Sequence, residues 1–367
     1  MGLISFTDRG LYCEKGDFYI DPWKPVKNAI ITHAHSDHSR WGMEHYLAHT
    51  DSYYFMKRRL GADIDLDTMP YGERRKIGDV TVSFHSAAHI IGSAQVRVEH
   101  KGEVWVVSGD YKTEDDGVSG PFEPVRCNTF ITESTFGLPI YQWQPQPEIM
   151  EEIHRWIQRN QARGRNSVLV AYSLGKSQRL VHGLQQYGYP IFGHGATYNM
   201  HEACREVRPD MPEITYLSKE VSKEAVKDGV IICPGSAVDT PWMRRWAPFA
   251  LGICSGWMQV RGAQRRKNAD AGFVLSDHAD WPGLLSAIDA TGAECVYATH
   301  GFSSALSRYL REEKGLKADV VKTQFGEDEE EGGNPESLHS ESRISNSGVE
   351  EGKDSASQIP DSTLEGK

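Results

Sequence analysis

The sequence predicts an α/β protein in two parts, a metal-binding domain and a layered α/β domain inserted into it. Three observations carry this. Histidine and aspartate residues recur where apolar, strand-like runs end, the middle of the chain alternates helix and strand patterns, and the C-terminal stretch lacks the apolar content to fold. A chain of 367 residues with 39% hydrophobic content can bury a core in two domains.

The first element with chemical content is the apolar run Ala29, Ile30, Ile31, which leads into His33, Ala34, His35, Ser36, Asp37 and His38. A short loop leaving a strand can turn His33 and His35 to one side and Asp37 and His38 to another, so that two cations sit side by side. Two close metals need more ligands than one loop carries. Residues 79–87 alternate as a strand and run into Ala88 and His89, and 103–107 form a second strand ending in Ser108, Gly109, Asp110. Much later, Cys295, Val296, Tyr297 and Ala298 lead into Thr299, His300 and Gly301. Each offers a ligand at a strand exit.

Between these lies the second α/β rhythm. Residues 147–164 read as a helix with Ile149, Ile153, Trp156 and Ile157 on one face. A strand over 167–172, a helix over 176–187 and a strand over 230–233 follow. Gly175, Lys176, Ser177 is similar to the end of a phosphate-binding P-loop, but Val170 stands where that motif requires its first glycine.

In order and type these motifs resemble the metallo-β-lactamase fold, and within it the nucleic-acid-processing β-CASP branch, over residues 1 to about 325. The resemblance implies a four-layer αββα domain with an inserted α/β cap. It places the N-terminal part of the metal domain at 1–146, the cap at 147–270 and the C-terminal part at 271–325, with an acidic tail over 326–367. It also implies two divalent cations, zinc first and manganese as the alternative. His33, His35 and His89 would hold one, Asp37, His38 and His300 the other, and Asp110 would bridge them. Phe130, Ile131, Thr132, Glu133, Ser134, Thr135 resembles the acidic motif of the branch, and Ser276, Asp277, His278, Ala279, Asp280 its histidine motif.

Two cations about 3.5–4 Å apart suit phosphodiester hydrolysis. The leaving oxygen needs a proton, and His278 is the candidate general acid, with Glu133 orienting it and raising its pKa. Asp37 joins these two in the catalytic set. Tyr172, Ser173, Leu174, Gly175, Lys176 resembles a helix-start motif of the family, so Ser173, Lys176 and Ser177 are expected to bind a substrate phosphate. Arg261, Arg265, Arg266 and Lys267, beside Arg244 and Arg245 with Trp242 and Trp246 interleaved, would serve backbone phosphates and stacked bases.

A net charge of -11 looks wrong for a nucleic-acid enzyme until it is located: 327–367 carry -9 and the body only -2. The tail is rich in Ser, Gly and Glu and is excluded from the fold. The six cysteines show no CxxC pair and read as buried thiols. No leader-like segment and no run of membrane-spanning length are evident, so a cytoplasmic location without membrane contact is expected.

Ser255, Gly256, Trp257, Met258, Gln259, Val260, Arg261, Gly262 and the stretch from Ser276 through Trp281, Pro282, Gly283, Leu284 and Leu285 resemble the bacterial ligase-associated DNA exonucleases. The expected function is therefore a DNA exonuclease that prepares ends for repair, with a DNA ligase and a helicase as implied partners. The alternative is an RNA 3′-end-processing or trimming nuclease, favoured by His300, which the DNA-crosslink-repair members usually lack. A thioesterase of the same fold would not need Glu133, His278 or the insert. A non-catalytic scaffold would have lost ligands, and none is missing.

Overall fold

The computed structural model describes residues 2–260 and 269–321. Its first sheet has six strands in chain order, Ser5–Thr7, Gly10–Cys13, Phe18–Ile20, Asn28–Ile30, His45–His49 and Leu66–Met69. The first three pair antiparallel and the rest parallel. The second sheet has seven, in the order Lys317–Val320, Cys295–Thr299, Thr129–Glu133, Glu103–Val107, Ala94–His100, Val80–Ser86 and Arg74–Ile77.

These two sheets share one core. Period-two alternation sends Val80, Val82, Phe84, Val96 and Val98 from the second sheet against Leu11, Phe18, Ile20, Ile30 and Leu47 of the first. On its other face the first sheet buries Ala29, Ile31, Tyr46 and Ala48 with Phe55, Met56 and Leu60 of the helix Tyr53–Leu60. The second sheet covers Val106, Phe130, Val296 and Ala298 with the helices Trp281–Thr291 and Ser303–Glu312.

The third sheet, Thr215–Tyr216, Ile191–Gly193, Val230–Cys233, Asn166–Val170, Phe249–Cys254 and Ala271–Phe273, is wholly parallel. Parallel sheets are covered on both faces, and here Leu169, Val230 and Ile232 meet one cluster while Val168, Val170 and Ile231 meet another. The helix expected over 147–164 spans Gln146–Gln161, with Pro147 in its first turn and Ile149, Ile153, Trp156 and Ile157 buried at helical spacing. Each such side chain contributes about 1.5–3 kcal/mol on burial. The helix expected over 176–187 ends earlier, as Lys176–Leu184, and tightens into a 3-10 turn Gln185–Tyr187.

All six cysteines are unbridged, but Cys127 and Cys295 are only half-buried. Trp246 is 1% exposed and packs in the third sheet's outer core, so it is not the stacking surface that the sequence suggested. Among the described residues no helix is long and apolar enough to cross a membrane.

Candidate metal centre and its acid–base pair

Sheet topology gathers the strand exits. Glu103–Val107, Thr129–Glu133 and Cys295–Thr299 are consecutive parallel neighbours, so Asp110, Glu133 and His300 emerge at one edge of the second sheet. Carboxyl ends of parallel strands are where α/β proteins place ligands. The first sheet is joined there by a hydrogen bond from the Ala94 amide to the Thr32 carbonyl, 2.8 Å. Gly109 permits the approach: its φ is +57°, and a Cβ on it would stand 2.7 Å from Thr32 Oγ1.

The ligand-type atoms of His33, His35, His89 and Asp110 all lie within 4.8 Å of one another, as do those of Asp37, His38 and Asp110. Asp110 is common to both groups. Its Oδ2 lies 3.6 Å from His33 Nε2, 3.4 Å from His38 Nε2 and 3.8 Å from His89 Nε2. Asp37 is exposed at the mouth, with Oδ2 3.7 Å from His38 Nε2. His300 stands beside His38, ring centroids 5.4 Å apart, and its Nδ1 contacts Thr299 Oγ1 at 2.9 Å. Its backbone is left-handed, φ 53°, a conformation rare outside glycine that recurs at functional sites.

The imidazoles are fixed from behind. His89 Nδ1 meets the Asp277 carbonyl at 2.7 Å, His35 Nε2 the Leu174 carbonyl at 3.0 Å, and His38 Nδ1 the carboxylate of Asp21 at 2.7 Å. Asp21 also accepts from the Thr32 amide and hydroxyl, 2.8 and 2.6 Å. Asp21 was not singled out in the sequence, and Asp277 was named only within the histidine motif, with no role of its own. A signal existed for Asp21, which follows the apolar run Phe18, Tyr19, Ile20 in the same strand-exit pattern as the candidate ligands.

Burial pushes His33 well below its ordinary value, helped by His38 and His89, and pushes His89 down to about 3. Both are therefore neutral, the form that binds a cation. Burial opposes the ionised form of Asp110, but His38 and His278 outweigh it and hold the carboxyl well below the usual range. His38 moves the other way: burial would lower it, yet Asp110, Asp37 and Asp21 raise it well above its ordinary value. Its Nε2 is buried without a hydrogen-bond partner and faces Asp110 and Asp37. Lowered His33 and His89, two carboxylates and an orphaned buried nitrogen fit divalent cations, which would take the place of the His38 proton.

Beside this cluster, His278 Nδ1 contacts Glu133 Oε2 at 2.9 Å and Oε1 at 3.1 Å. Glu133 is 1% exposed and also accepts from the Tyr111 amide at 2.8 Å. Burial would lower His278, but Glu133 and then Asp110 outweigh it, and it is pushed up to about 9. Trp143 Nε1 donates to the His278 carbonyl at 2.9 Å, and Phe136 stands 5.9 Å from the His278 ring.

The helix-start residues are placed differently from expectation. Lys176 is buried and pairs with Asp277 Oδ1 at 3.0 Å, and Ser177 donates to the Tyr172 carbonyl at 2.6 Å. Ser173 is 2% exposed. This helix start is therefore engaged within the protein, not presented on an open surface for a phosphate. Arg261, Arg265, Arg266 and Lys267 lie outside the described residues, as do 326–367. Arg244 and Arg245 are exposed, and Arg245 donates to the Lys219 and Val221 carbonyls.

No family model matches the chain. A protein named probable DNA ligase from Opitutus terrae is 31% identical over 318 residues, 86% of this chain and 30% of that protein. Ribonuclease TTHA0252 of Thermus thermophilus is 25% identical over 204 residues, 47% of this chain and 46% of the ribonuclease. The chain thus spans less than half the length of either relative. Among solved structures, a protein of unknown function from Enterococcus faecalis superposes with a TM-score of 0.55 at 12% identity, covering 82% of this chain and 80% of that one, which shows a shared fold.

Proposed function

For a chain that belongs to the β-CASP/metallo-β-lactamase nucleases, we propose metal-dependent hydrolysis of phosphodiester bonds, in the form of a DNA exonuclease that trims ends for repair. The observation that carries this is Asp110, shared by the two ligand groups and bordered by the His278–Glu133 pair. His33, His35 and His89 would hold one cation and Asp37, His38 and His300 the other, with Asp110 shared between them; zinc is the proposed metal. Bound there, two divalent cations lower the pKa of a water and neutralise charge developing on the phosphoryl oxygens.

The chain's own residues do the rest. His278 delivers a proton to the leaving oxygen, and Glu133 keeps that proton on the ring and aims it. The Tyr111 amide holds Glu133 while Trp143 holds the His278 backbone, so the pair is rigid before substrate arrives. Asp37 is the exposed edge of the cluster, so substrate would reach it from that side. We assign 1–146 and 274–325 to one four-layer αββα domain and 147–273 to an inserted cap; the expected boundary at 270 moves by three residues because Ala271–Phe273 pairs with Phe249–Cys254 in the separate parallel sheet. A relative named as a DNA ligase favours DNA, with a ligase acting on the product.

A second reading, an RNA-trimming enzyme, is favoured by the ribonuclease relative and by His300 next to His38. Incubation with end-labelled single-stranded DNA and RNA of identical sequence, under zinc, manganese and magnesium in turn, decides between them. Shortening of DNA from one end supports the first reading, faster loss of RNA supports the second, and cleavage of neither removes both.

A further inference from the structure

We infer that the buried Lys176–Asp277 ion pair is a positioning device for the first cation site, setting the spacing of the two backbone carbonyls that aim His35 and His89. It rests on the metal-centre reading above and assigns those residues a task that the ligands cannot perform alone.

Each of these imidazoles presents one nitrogen to the cluster because the other is taken. His35 Nε2 meets the Leu174 carbonyl at 3.0 Å and His89 Nδ1 the Asp277 carbonyl at 2.7 Å, which leaves His35 Nδ1 and His89 Nε2 facing each other at 3.0 Å. The two carbonyls are far apart in the chain. Leu174 precedes the helix Lys176–Leu184, and Asp277 follows the strand Ala271–Phe273.

What joins them is a salt bridge between their immediate neighbourhoods. Lys176 Nζ lies 3.0 Å from Asp277 Oδ1, and both side chains are 3% exposed. One helical turn on, Arg179 donates to the Ser276 carbonyl and lies 3.3 Å from Asp116, which is itself buried. Gly175 closes the gap: with φ at +91° it is strained for any other residue, and a Cβ would stand 2.4 Å from Ile90, the residue after His89. The segments holding His89, Leu174 and Asp277 are thus packed without slack.

A buried ion pair is a poor source of net stability, because removing two charges from water costs about as much as their attraction returns. Its location is informative instead. Groups that orient metal-ligating histidines typically control affinity by about 10–100-fold.

Zinc affinity of the full chain, measured by competition with a chromophoric chelator in the absence of nucleic acid, tests this. The double variant Lys176→Met/Asp277→Leu removes both charges together, so no lone charge stays buried. Its melting temperature should match or exceed that of the parent, while zinc affinity falls about 10–100-fold. A folded double variant with parental zinc affinity would overturn the inference. If the variant does not fold, hydrogen exchange on the unaltered chain decides: zinc should protect amides 174–178 and 276–278, since coupling is reciprocal. Equal exchange with and without zinc overturns the inference as well. A parent chain that binds no zinc instead overturns the metal-centre reading beneath it.

Discussion

Replacing Glu133 by glutamine isolates the proton donor. The side chain keeps its shape, and Oε1 can still accept from the Tyr111 amide. What disappears is the negative charge 2.9 Å from His278 Nδ1. His278 is pushed up to about 9 against its burial, chiefly by Glu133 and then by Asp110. Cations on Asp110 would cancel its share in both enzymes alike, so the difference between them reads Glu133 alone. An opposite charge at this range moves a pKa by about 1–3 units, so His278 in the variant should titrate about 1–3 units below the parent. A general acid works in its protonated form, and the rate is lost as pH rises through its pKa. Above both pKa values the variant's protonated fraction is about 10–1000-fold below the parent's, and below both the two fractions converge. The turnover of Glu133→Gln should therefore fall increasingly below the parent's as pH rises from about 6 to about 9, and recover toward it as pH falls. The assay is kcat on end-labelled single-stranded DNA across that range, with bound metal measured at each point. A parent-to-variant ratio that stays flat with pH, at equal metal content, would refute the assignment of the His278 proton to Glu133.

Other perturbations separate ligands from acid–base groups. Asp110→Ala should lose bound metal and cleavage together, as measured by elemental analysis and product formation, because its Oδ2 is within 3.8 Å of three ligand nitrogens. His278→Ala should keep its metals and slow cleavage by about 10²–10⁴; a matching fall in metal content would make His278 a ligand. Away from the site, His49 is stacked on Tyr71 at 3.5 Å, and burial pushes it down to about 4. Because the unfolded chain takes up that proton near about pH 6.5, stability should be full above that pH and decline by roughly 2–3 kcal/mol as pH falls to about 4. His49→Phe should flatten this part of the acid limb in urea titrations, and an unchanged slope would count against it.

The cluster of candidate ligands was legible because its pattern is local. His33 to His38 sit on one loop, and His89, Asp110 and His300 each follow an apolar run that the structure folds as a strand, Val80–Ser86, Glu103–Val107 and Cys295–Thr299. Glu133 and His278 were also paired from the sequence through the family resemblance. What escaped was anything fixed by contacts between distant segments. Lys176 looked like a phosphate ligand at a helix start, but its charge answers Asp277, a residue about a hundred positions away that no local pattern links to it. Trp246 likewise looked available among arginines until the third sheet's outer core covered it. Short strands such as Asn28–Ile30 were visible only as apolar runs, since three residues show little periodicity.

If the cluster around Asp110 is a two-cation hydrolytic centre, activity follows bound metal. The most direct measurement strips the purified chain with a chelator, restores zinc in fractional equivalents, and follows cleavage of end-labelled single-stranded DNA alongside bound zinc. Activity should be absent in the stripped protein and rise until two equivalents per chain are bound, with Asp110→Ala flat throughout. Cleavage that survives stripping, or two bound equivalents with no cleavage of DNA or RNA, would contradict it.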